Sequence, residues 1–179
     1  MKIAEIRCNS RAALTDKEIA GCFNAYLGRI NRVRLIGGAA EPVYLPGLEQ
    51  GYATIRYTRD YPRSALHELA HWCIAGSQRR DREDYGYWYQ PPPRTISQQL
   101  AFVDAEIEVQ AVECLLAKTC GLPFRVSLDD VDADPEMSAQ FEAAVSVRAD
   151  EIRQGGLPKR AELLVIALGE YVQSTTVSF

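Results

Sequence analysis

The stretch His67-Glu68-Leu69-Ala70-His71 holds both histidines of this 179-residue chain. On a helix, residues four positions apart lie on the same face, so the two imidazoles can bind one metal ion. Glu68 follows the first histidine and is then placed beside that ion, where it can act as a base or proton carrier. The spacing therefore predicts a metal-binding helix with His67 and His71 as ligands and Glu68 as the catalytic residue.

The residues around this motif are typical of a partly buried helix. Asp60 can cap its first turn, Pro62 suits the first helical position, and Gly76 provides a stop. Between these ends, apolar side chains recur with the spacing of a core-facing stripe: Ala65, Leu66, Leu69, Ala70, Cys73 and Ile74. Because the histidines lie beside that stripe, we disfavour the alternative of a helix with two merely exposed histidines.

Bulk composition limits the class of protein. The net charge of −4 argues against nucleic-acid binding through a basic surface. The chain has no apolar run long enough to span a membrane, and the charges near its start interrupt the apolar core that a signal peptide needs. The five cysteines show no CxxC spacing, which indicates reduced thiols in a cytoplasmic protein.

Apolar periodicity and turn residues predict one α+β domain over residues 1–179. A capping box at 15–18 predicts a first helix to about residue 27, with these inward side chains: Ile19, Cys22, Phe23, Tyr26 and Leu27. Strands are predicted over 32–36, 43–45 and 52–58, and later helices over about 97–118, 135–154 and 158–172. Residues 77–95 are expected to be irregular, since three successive prolines cannot continue a helix.

A metal centre of this kind needs a third protein ligand, which the sequence must supply as a carboxylate because no third histidine exists. The helix predicted over 97–118 offers four acids: Asp104, Glu106, Glu108 and Glu113. Its apolar side chains form one expected core-facing stripe: Leu100, Val103, Ile107, Ala111 and Cys114. Asp104 lies at the edge of that stripe, whereas Glu106 lies on a polar stripe. Periodicity alone therefore favours Asp104 and leaves the choice open.

Several segments, in this order and spacing, resemble the elongation factor P hydroxylase family of bacteria. They are residues 41–46, 65–76, 85–89, 102–106, 110–111 and 122–124. The run from His71 to Gly76 and the later Gly-Tyr-Trp-Tyr are far more specific than the histidine motif alone. The resemblance is strongest between residues 32 and 130, and the total length also suits the family.

The resemblance implies a fold, an activity and a partner. The fold is expected to be zincin-like, with a small sheet packed by helices and the HExxH motif on a central helix. The activity is hydroxylation of the modified, lysylated lysine of translation elongation factor P. The cofactor is one divalent metal ion, iron or alternatively zinc. The partner is elongation factor P, with no direct role for nucleic acid or a membrane.

The resemblance also implies site residues. His67 and His71 match the histidine ligands of the family, and the acidic pair of its Phe-x-Asp-x-Glu pattern matches Asp104 and Glu106. We take Glu106 as the third ligand and Asp104 as the group that orients a histidine. If Glu106 is the ligand, the polar stripe that it forms with Gln110 and Glu113 should face the active site and not bulk water.

An aromatic segment and a basic segment are candidates for substrate binding. The aromatic candidates are Tyr85, Tyr87, Trp88 and Tyr89, which can grip the stem of a modified lysine or simply anchor a loop. Arg79 and Arg80 can steer an acidic partner protein, or belong to a solvated face. Two other functions stay open from spacing alone. One is a metallopeptidase in which zinc activates water, and the other is a metal-binding adaptor without catalysis.

Overall fold

The computed structural model describes residues 13–47, 51–86, 95–127 and 135–176, without the side chains of residues 96 and 176. The first part is helical: α1 (Asp16–Phe23), a π-helical turn (Asn24–Gly28) and α2 (Arg29–Asn31). Three strands follow: β1 (Val33–Ala39), β2 (Val43–Leu45) and β3 (Ala53–Thr58). The remainder consists of α3 (Pro62–Ile74), α4 (Ser77–Arg80), a 3-10 turn (Glu83–Gly86), α5 (Ile96–Thr119), α6 (Pro135–Gly155) and α7 (Lys159–Thr176). The predicted α+β class is confirmed.

The sheet has the strand order β1-β3-β2. Strand β3 pairs parallel with β1 and antiparallel with β2, and the register aligns Leu35, Ile55 and Tyr44 in one row across the sheet. All three side chains are buried, because that face packs on the helices. A short turn connects the end of β3 at Thr58 to the start of α3 at Pro62.

The N-terminal helix begins as its sequence predicts. Thr15 and Glu18 form the reciprocal capping box, in which the Thr15 hydroxyl accepts from the backbone of Glu18. Four of its five expected inward side chains are buried, but the prediction for Tyr26 is wrong, since this residue is 56% exposed. The π-helical turn widens the spacing at this point and so shifts which residues face the core.

Helix α3 carries the histidine motif and packs against β3, α1, α5 and α7. Its predicted apolar stripe is confirmed: Ala65, Leu66, Leu69, Ala70 and Cys73 are buried, and Ile74 is partly buried. The prediction that Asp60 caps the helix is wrong. The N-cap is Tyr61, without a side-chain hydrogen bond, because Asp60 takes a left-handed backbone conformation in the turn that ends β3. Pro62 opens the helix as predicted.

The C-terminal end of α3 is held by arginine side chains. Arg160, on α7, donates to the carbonyl oxygens of Trp72 and Cys73, each at 3.1 Å, and also to that of Ala75. Arg80 donates to the Ala75 carbonyl as well, at 2.8 Å. These bonds satisfy carbonyl groups that have no partner within the helix. Gly76 follows the helix and becomes the N-cap of α4, so the segment after α3 is not wholly irregular.

Helix α5 lies between α3 and α6, and its orientation differs from the prediction. Leu100, expected in the core-facing stripe, is 61% exposed, whereas Ala111 is buried. The other members of that stripe, Val103, Ile107 and Cys114, are only partly buried. The face directed at α3 instead carries polar groups, as the family resemblance implied: Glu106, Gln110 and Glu113 are all buried.

Two further expectations concern cysteines and membranes. Cys22, Cys73, Cys114 and Cys120 are free thiols, while Cys8 lies outside the described residues. Burial raises the pKa of Cys73 to about 12, which keeps this thiol protonated and unreactive. Within the described ranges, no helix has the length and apolar character needed to cross a bilayer.

Candidate metal centre

Two helices bring three potential metal ligands together. Helix α3 supplies His67 and His71, one turn apart on one face, and α5 supplies Glu106 opposite them. The two imidazole Nε2 atoms are 3.2 Å apart. The Glu106 carboxylate lies 3.5 Å from Nε2 of His71 and 3.8 Å from Nε2 of His67. Within the part of the protein that the structure describes, this is the one group of three such side chains whose donor atoms converge.

These distances fit a metal ion. Ligand atoms bound about 2.1 Å from one ion lie roughly 3.0–3.4 Å from one another. The Nε2–Nε2 separation of 3.2 Å falls in that range. The distances of 3.5 and 3.8 Å join the two imidazoles to different oxygens of Glu106, so this side chain must move before one of its oxygens can share an ion with both histidines. Two imidazole nitrogens at 3.2 Å repel each other unless a proton or a cation lies between them. Two nitrogens and one carboxylate form a donor set that suits iron or zinc.

A second buried carboxylate fixes the orientation of His67. Glu113 Oε2 lies 2.9 Å from Nδ1 of His67, so Nδ1–H donates to the carboxylate and Nε2 is the ring nitrogen that can bind a metal. Burial by itself lowers the pKa of His67. The hydrogen bond to Glu113 and the nearby negative charges outweigh it and raise that pKa to about 9. In the metal-free protein this imidazole is therefore protonated on both nitrogens and positively charged at neutral pH.

The Glu106 carboxylate is buried and ionised. Burial raises its pKa, but the hydrogen bond from His71, the charges of both imidazoles and the hydrogen bond from Gln110 lower it to about 2. Gln110 Nε2 donates to Glu106 Oε2 at 3.1 Å. The carboxylate therefore keeps its negative charge across the physiological pH range, as a cation ligand must.

Glu68 is the third buried acid of the site. It is 8% exposed, and burial raises the pKa of its carboxyl, with partial opposition from the two imidazoles. A raised pKa makes a carboxyl group easier to protonate, which is what a group that accepts and then passes on a proton requires. The location of Glu68 between the histidines in sequence, and its burial, suit proton transfer beside the metal position.

Tyr85 forms one wall of the site. Its ring lies nearly parallel to the His71 imidazole, with centroids 6.2 Å apart, and stacks on Tyr44 at 4.2 Å. The Tyr85 hydroxyl is buried and has no hydrogen-bond partner among the residues that the structure describes. Both Asp84 and Tyr85 take left-handed backbone conformations, and Asp84 accepts a hydrogen bond from the Tyr44 amide at 2.8 Å. Such strain is concentrated at functional sites in other proteins.

The other predicted site residues lie elsewhere. Asp104 is exposed on α5 and makes no hydrogen bond or ion pair with either histidine; the contact expected of it is made by Glu113. Arg79 is exposed on α4, while Arg80 is bound to the Ala75 carbonyl and contributes to local structure. Residues 87–89, with Tyr87, Trp88 and Tyr89, fall outside the described residues.

Two polar residues of the site have roles that we did not predict. Glu113 orients His67, and Arg63, one turn before the motif, lies 3.7 Å from the same carboxylate. The signal was present in the spacing of the polar stripe Glu106, Gln110 and Glu113 at i, i+4 and i+7. Polar side chains with that period on an otherwise apolar helix indicate a buried polar site or a solvated face, and periodicity does not distinguish them.

The fold and the site define a class of protein: an α+β domain in which a two-histidine, one-carboxylate group can hold a metal ion. Residues 22–179 match the family model described as elongation factor P hydroxylase. The chain is also 39% identical, over 153 residues, to the elongation factor P lysine hydroxylase of Haemophilus influenzae. That alignment covers 85% of this chain and 86% of the relative. The chain therefore belongs to the elongation factor P hydroxylase family. Neither match supports the alternative of a metallopeptidase.

Proposed function

We propose that this protein is a metal-dependent hydroxylase that acts on the modified lysine of elongation factor P in the cytoplasm. The observation that carries the proposal is the convergence of two imidazole Nε2 atoms and one carboxylate on a chain that belongs to this family along most of its length. We also infer that the small sheet, with the motif helix packed against it, is a zincin-like arrangement adapted to oxidation.

His67, His71 and Glu106 would hold one divalent ion, for which iron is our first choice and zinc the alternative. Bound iron would supply the ability to activate dioxygen. Glu113 and Gln110 hold the ligand side chains in place. The metal-free pKa values of His67 and Glu106 favour a bound positive charge at this position.

The overall change inserts one oxygen atom of dioxygen into a C–H bond of the modified lysine. The second oxygen atom becomes water with two electrons and two protons from an external reductant. Glu68 is the residue that we assign to proton transfer, because it is buried, ionisable and adjacent to the first histidine. Its carboxyl can pass protons to the site without being a ligand.

The aromatic side chains would bind the stem of the substrate lysine. Tyr85 supports this role, since its ring lies beside His71 and its buried hydroxyl has no hydrogen-bond partner among the described residues. We extend the assignment to Tyr87, Trp88 and Tyr89 from the sequence resemblance alone. Arg79 is exposed next to the metal helix and can attract an acidic surface of elongation factor P. Arg80 would contribute charge in addition to its bond to Ala75.

The test is an intact-mass measurement on lysylated elongation factor P. The substrate is incubated with the iron-loaded protein, a chemical reductant and isotopically heavy dioxygen. We expect a mass gain of one heavy oxygen atom on the modified lysine, located by fragmentation. Incorporation from labelled water, or cleavage of peptide bonds without oxygen gain, would contradict the proposal.

Matched controls separate the metal site from the rest of the protein. Zinc-loaded protein should give no oxygen gain, because zinc has no redox chemistry. Glu106→Ala should also be inactive, whereas Asp104→Ala, on the exposed side of the same helix, should hydroxylate like the wild type. Equal loss in both variants would show that the assay reports on the fold of α5 and not on the metal site.

A further inference from the structure

The segment that follows α5 contacts the metal site at two points. Ser127 pairs with the Gln110 side chain: its amide donates to Gln110 Oε1 at 2.9 Å, and its carbonyl accepts from Gln110 Nε2 at 2.6 Å. The carbonyl oxygen of Arg125 accepts a hydrogen bond from the guanidinium of Arg63. We call residues 125–127 the post-helix segment.

Gln110 connects this segment to one metal ligand. Its side-chain amide has two N–H donors, and Nε2 donates to Ser127 O and to Glu106 Oε2. With its Oε1 accepting from Ser127, both donors and the oxygen of the amide are engaged, and the side chain is 1% exposed. A fully bonded and buried amide is held in one orientation, so it holds the Glu106 carboxylate in one orientation as well.

Glu113 and Arg63 connect the segment to a second ligand. One oxygen of Glu113 accepts from Nδ1 of His67 at 2.9 Å, and the other lies 3.7 Å from Nε of Arg63. Arg63 also lies over the Phe124 ring, with its guanidinium carbon 5.7 Å from the centroid. The Glu113 side chain is 4% exposed, and burying its negative charge is unfavourable unless His67 and Arg63 stabilise it.

Glu113 is poorly placed to be a ligand itself. Its oxygen binds the Nδ1 edge of the His67 ring, whereas His71 and Glu106 face the Nε2 edge. The two ring nitrogens point in different directions, and the hydrogen bond at Nδ1 leaves Nε2 for the metal. Its position therefore suits an orienting group.

We propose that Glu113 and Gln110 are positioning residues for the metal centre, holding His67 and Glu106 respectively, and that the post-helix segment anchors both of them. This inference rests on the proposed metal-dependent function. It assigns to Arg63, Gln110, Glu113 and the segment a single task, which is to fix the coordination geometry. Loss of such a partner typically lowers metal affinity about 10–100-fold.

The experiment measures Co²⁺ binding to the full-length protein, by competition with a chelator and by the visible absorption of the bound ion. Glu113→Gln keeps an acceptor for Nδ1–H but removes the charge, and we expect an affinity about 10–100-fold weaker with an altered spectrum. Glu113→Ala should bind more weakly than Glu113→Gln. Gln110→Met, which keeps the size of the side chain, should also lose affinity and alter the spectrum. The matched control is Glu108→Gln on the same helix, which should behave like the wild type.

The outcomes separate positioning from other roles. Thermal unfolding of each metal-free variant checks folding, and Arg63→Lys, which keeps the charge, provides a milder change if Glu113→Gln does not fold. Wild-type affinity and spectrum in the folded Glu113 and Gln110 variants would overturn the inference. A loss for Glu113→Gln as complete as that of Glu106→Ala would also overturn it, by making Glu113 a ligand. If the wild type binds no Co²⁺, the proposed function and this inference both fail. If the wild type binds Co²⁺ and the variants bind it equally well, the inference fails and the proposed function stands.

Discussion

The two faces of α5 carry acids in opposite situations. On the face directed at α3, Glu106 and Glu113 are buried and contact imidazoles. On the other side, Asp104 is exposed and Glu108 forms a surface ion pair with Arg148 on α6. Burying a carboxylate is unfavourable unless it is paired and hydrogen-bonded, so a helix keeps such groups in the interior only where other residues stabilise them. The two buried acids, Glu106 and Glu113, therefore indicate the candidate metal site, and the exposed acids Asp104 and Glu108 do not.

The largest difference between the faces should appear in metal binding. Glu106→Ala removes the proposed third ligand, and we expect Co²⁺ or Fe²⁺ binding to be lost in a chelator competition assay, together with hydroxylation. Asp104→Ala should leave both unchanged, since that side chain is exposed and has no contact with the histidines. Retained binding in Glu106→Ala with loss in Asp104→Ala would reverse the assignment of the third ligand.

Glu68, the buried acid on α3, should behave differently from Glu106, the proposed ligand on α5. Glu68→Gln removes the proposed proton-transfer group but none of the proposed ligands, so we expect bound metal at the wild-type level and a hydroxylation rate lower by about 10²–10⁴-fold. Metal content by elemental analysis and the rate of oxygen gain by mass spectrometry measure the two effects on one sample. A wild-type rate would exclude Glu68 from proton transfer.

The pH dependence of metal binding tests the charges on the buried face. His67 has a metal-free pKa of about 9, so below that pH a cation must displace its proton. Glu106, with a pKa of about 2, is already ionised. Apparent affinity should therefore rise about tenfold per pH unit up to about pH 9 and then level off. Calorimetry in buffers of different ionisation enthalpy should detect about one released proton.

The free energy of unfolding of the metal-free protein should fall as the pH rises, whereas the metal affinity should increase. The pKa of His67 is raised on folding, so its contribution to the free energy of unfolding is complete below about pH 6.5 and disappears as the pH rises through about 9. Denaturant unfolding of wild type and His67→Gln across this range measures that contribution as their difference. A constant difference between the two proteins would contradict the raised pKa.

The smallest effect is expected on the exposed face. Arg148→Met removes the ion pair with Glu108, whose partners are both substantially exposed. Such pairs contribute about 0–1 kcal/mol to the free energy of unfolding, and metal affinity should not change. Denaturant unfolding and Co²⁺ titration check the two statements. A loss of metal affinity here would mean that the two faces of α5 are coupled.

The comparison of faces also explains what the sequence could predict. The placement of both histidines on one helix, the capping box at Thr15 and the apolar stripe of α3 depend on local spacing, and each of these predictions is confirmed. Helix α5 contains both an apolar and a polar stripe, and periodicity does not tell which one meets a neighbour. The neighbour is α3, whose histidines stabilise the polar stripe, so the interior face of α5 is decided by tertiary contacts.

The remaining differences have a similar origin. Asp60 is a good N-cap residue by type, but the left-handed turn after β3 makes Tyr61 the N-cap. Glu106 was identified through a family pattern and not through periodicity, which favoured Asp104. The contact with His67 was assigned to Asp104 and not to Glu113, because Glu113 and His67 are 46 residues apart in sequence. Long-range pairing of this kind has no local signal.

The hydrogen bonds from Arg160 to the carbonyl groups at the end of α3 have a consequence for biosynthesis. The helix that bears the histidines is completed by a side chain that is translated 88 residues after Trp72. A ribosome-bound polypeptide that has not yet released α7 leaves the carbonyls of Trp72 and Cys73 without that donor. We therefore expect the C-terminal end of α3 to reach its final form only after α7 has been synthesised.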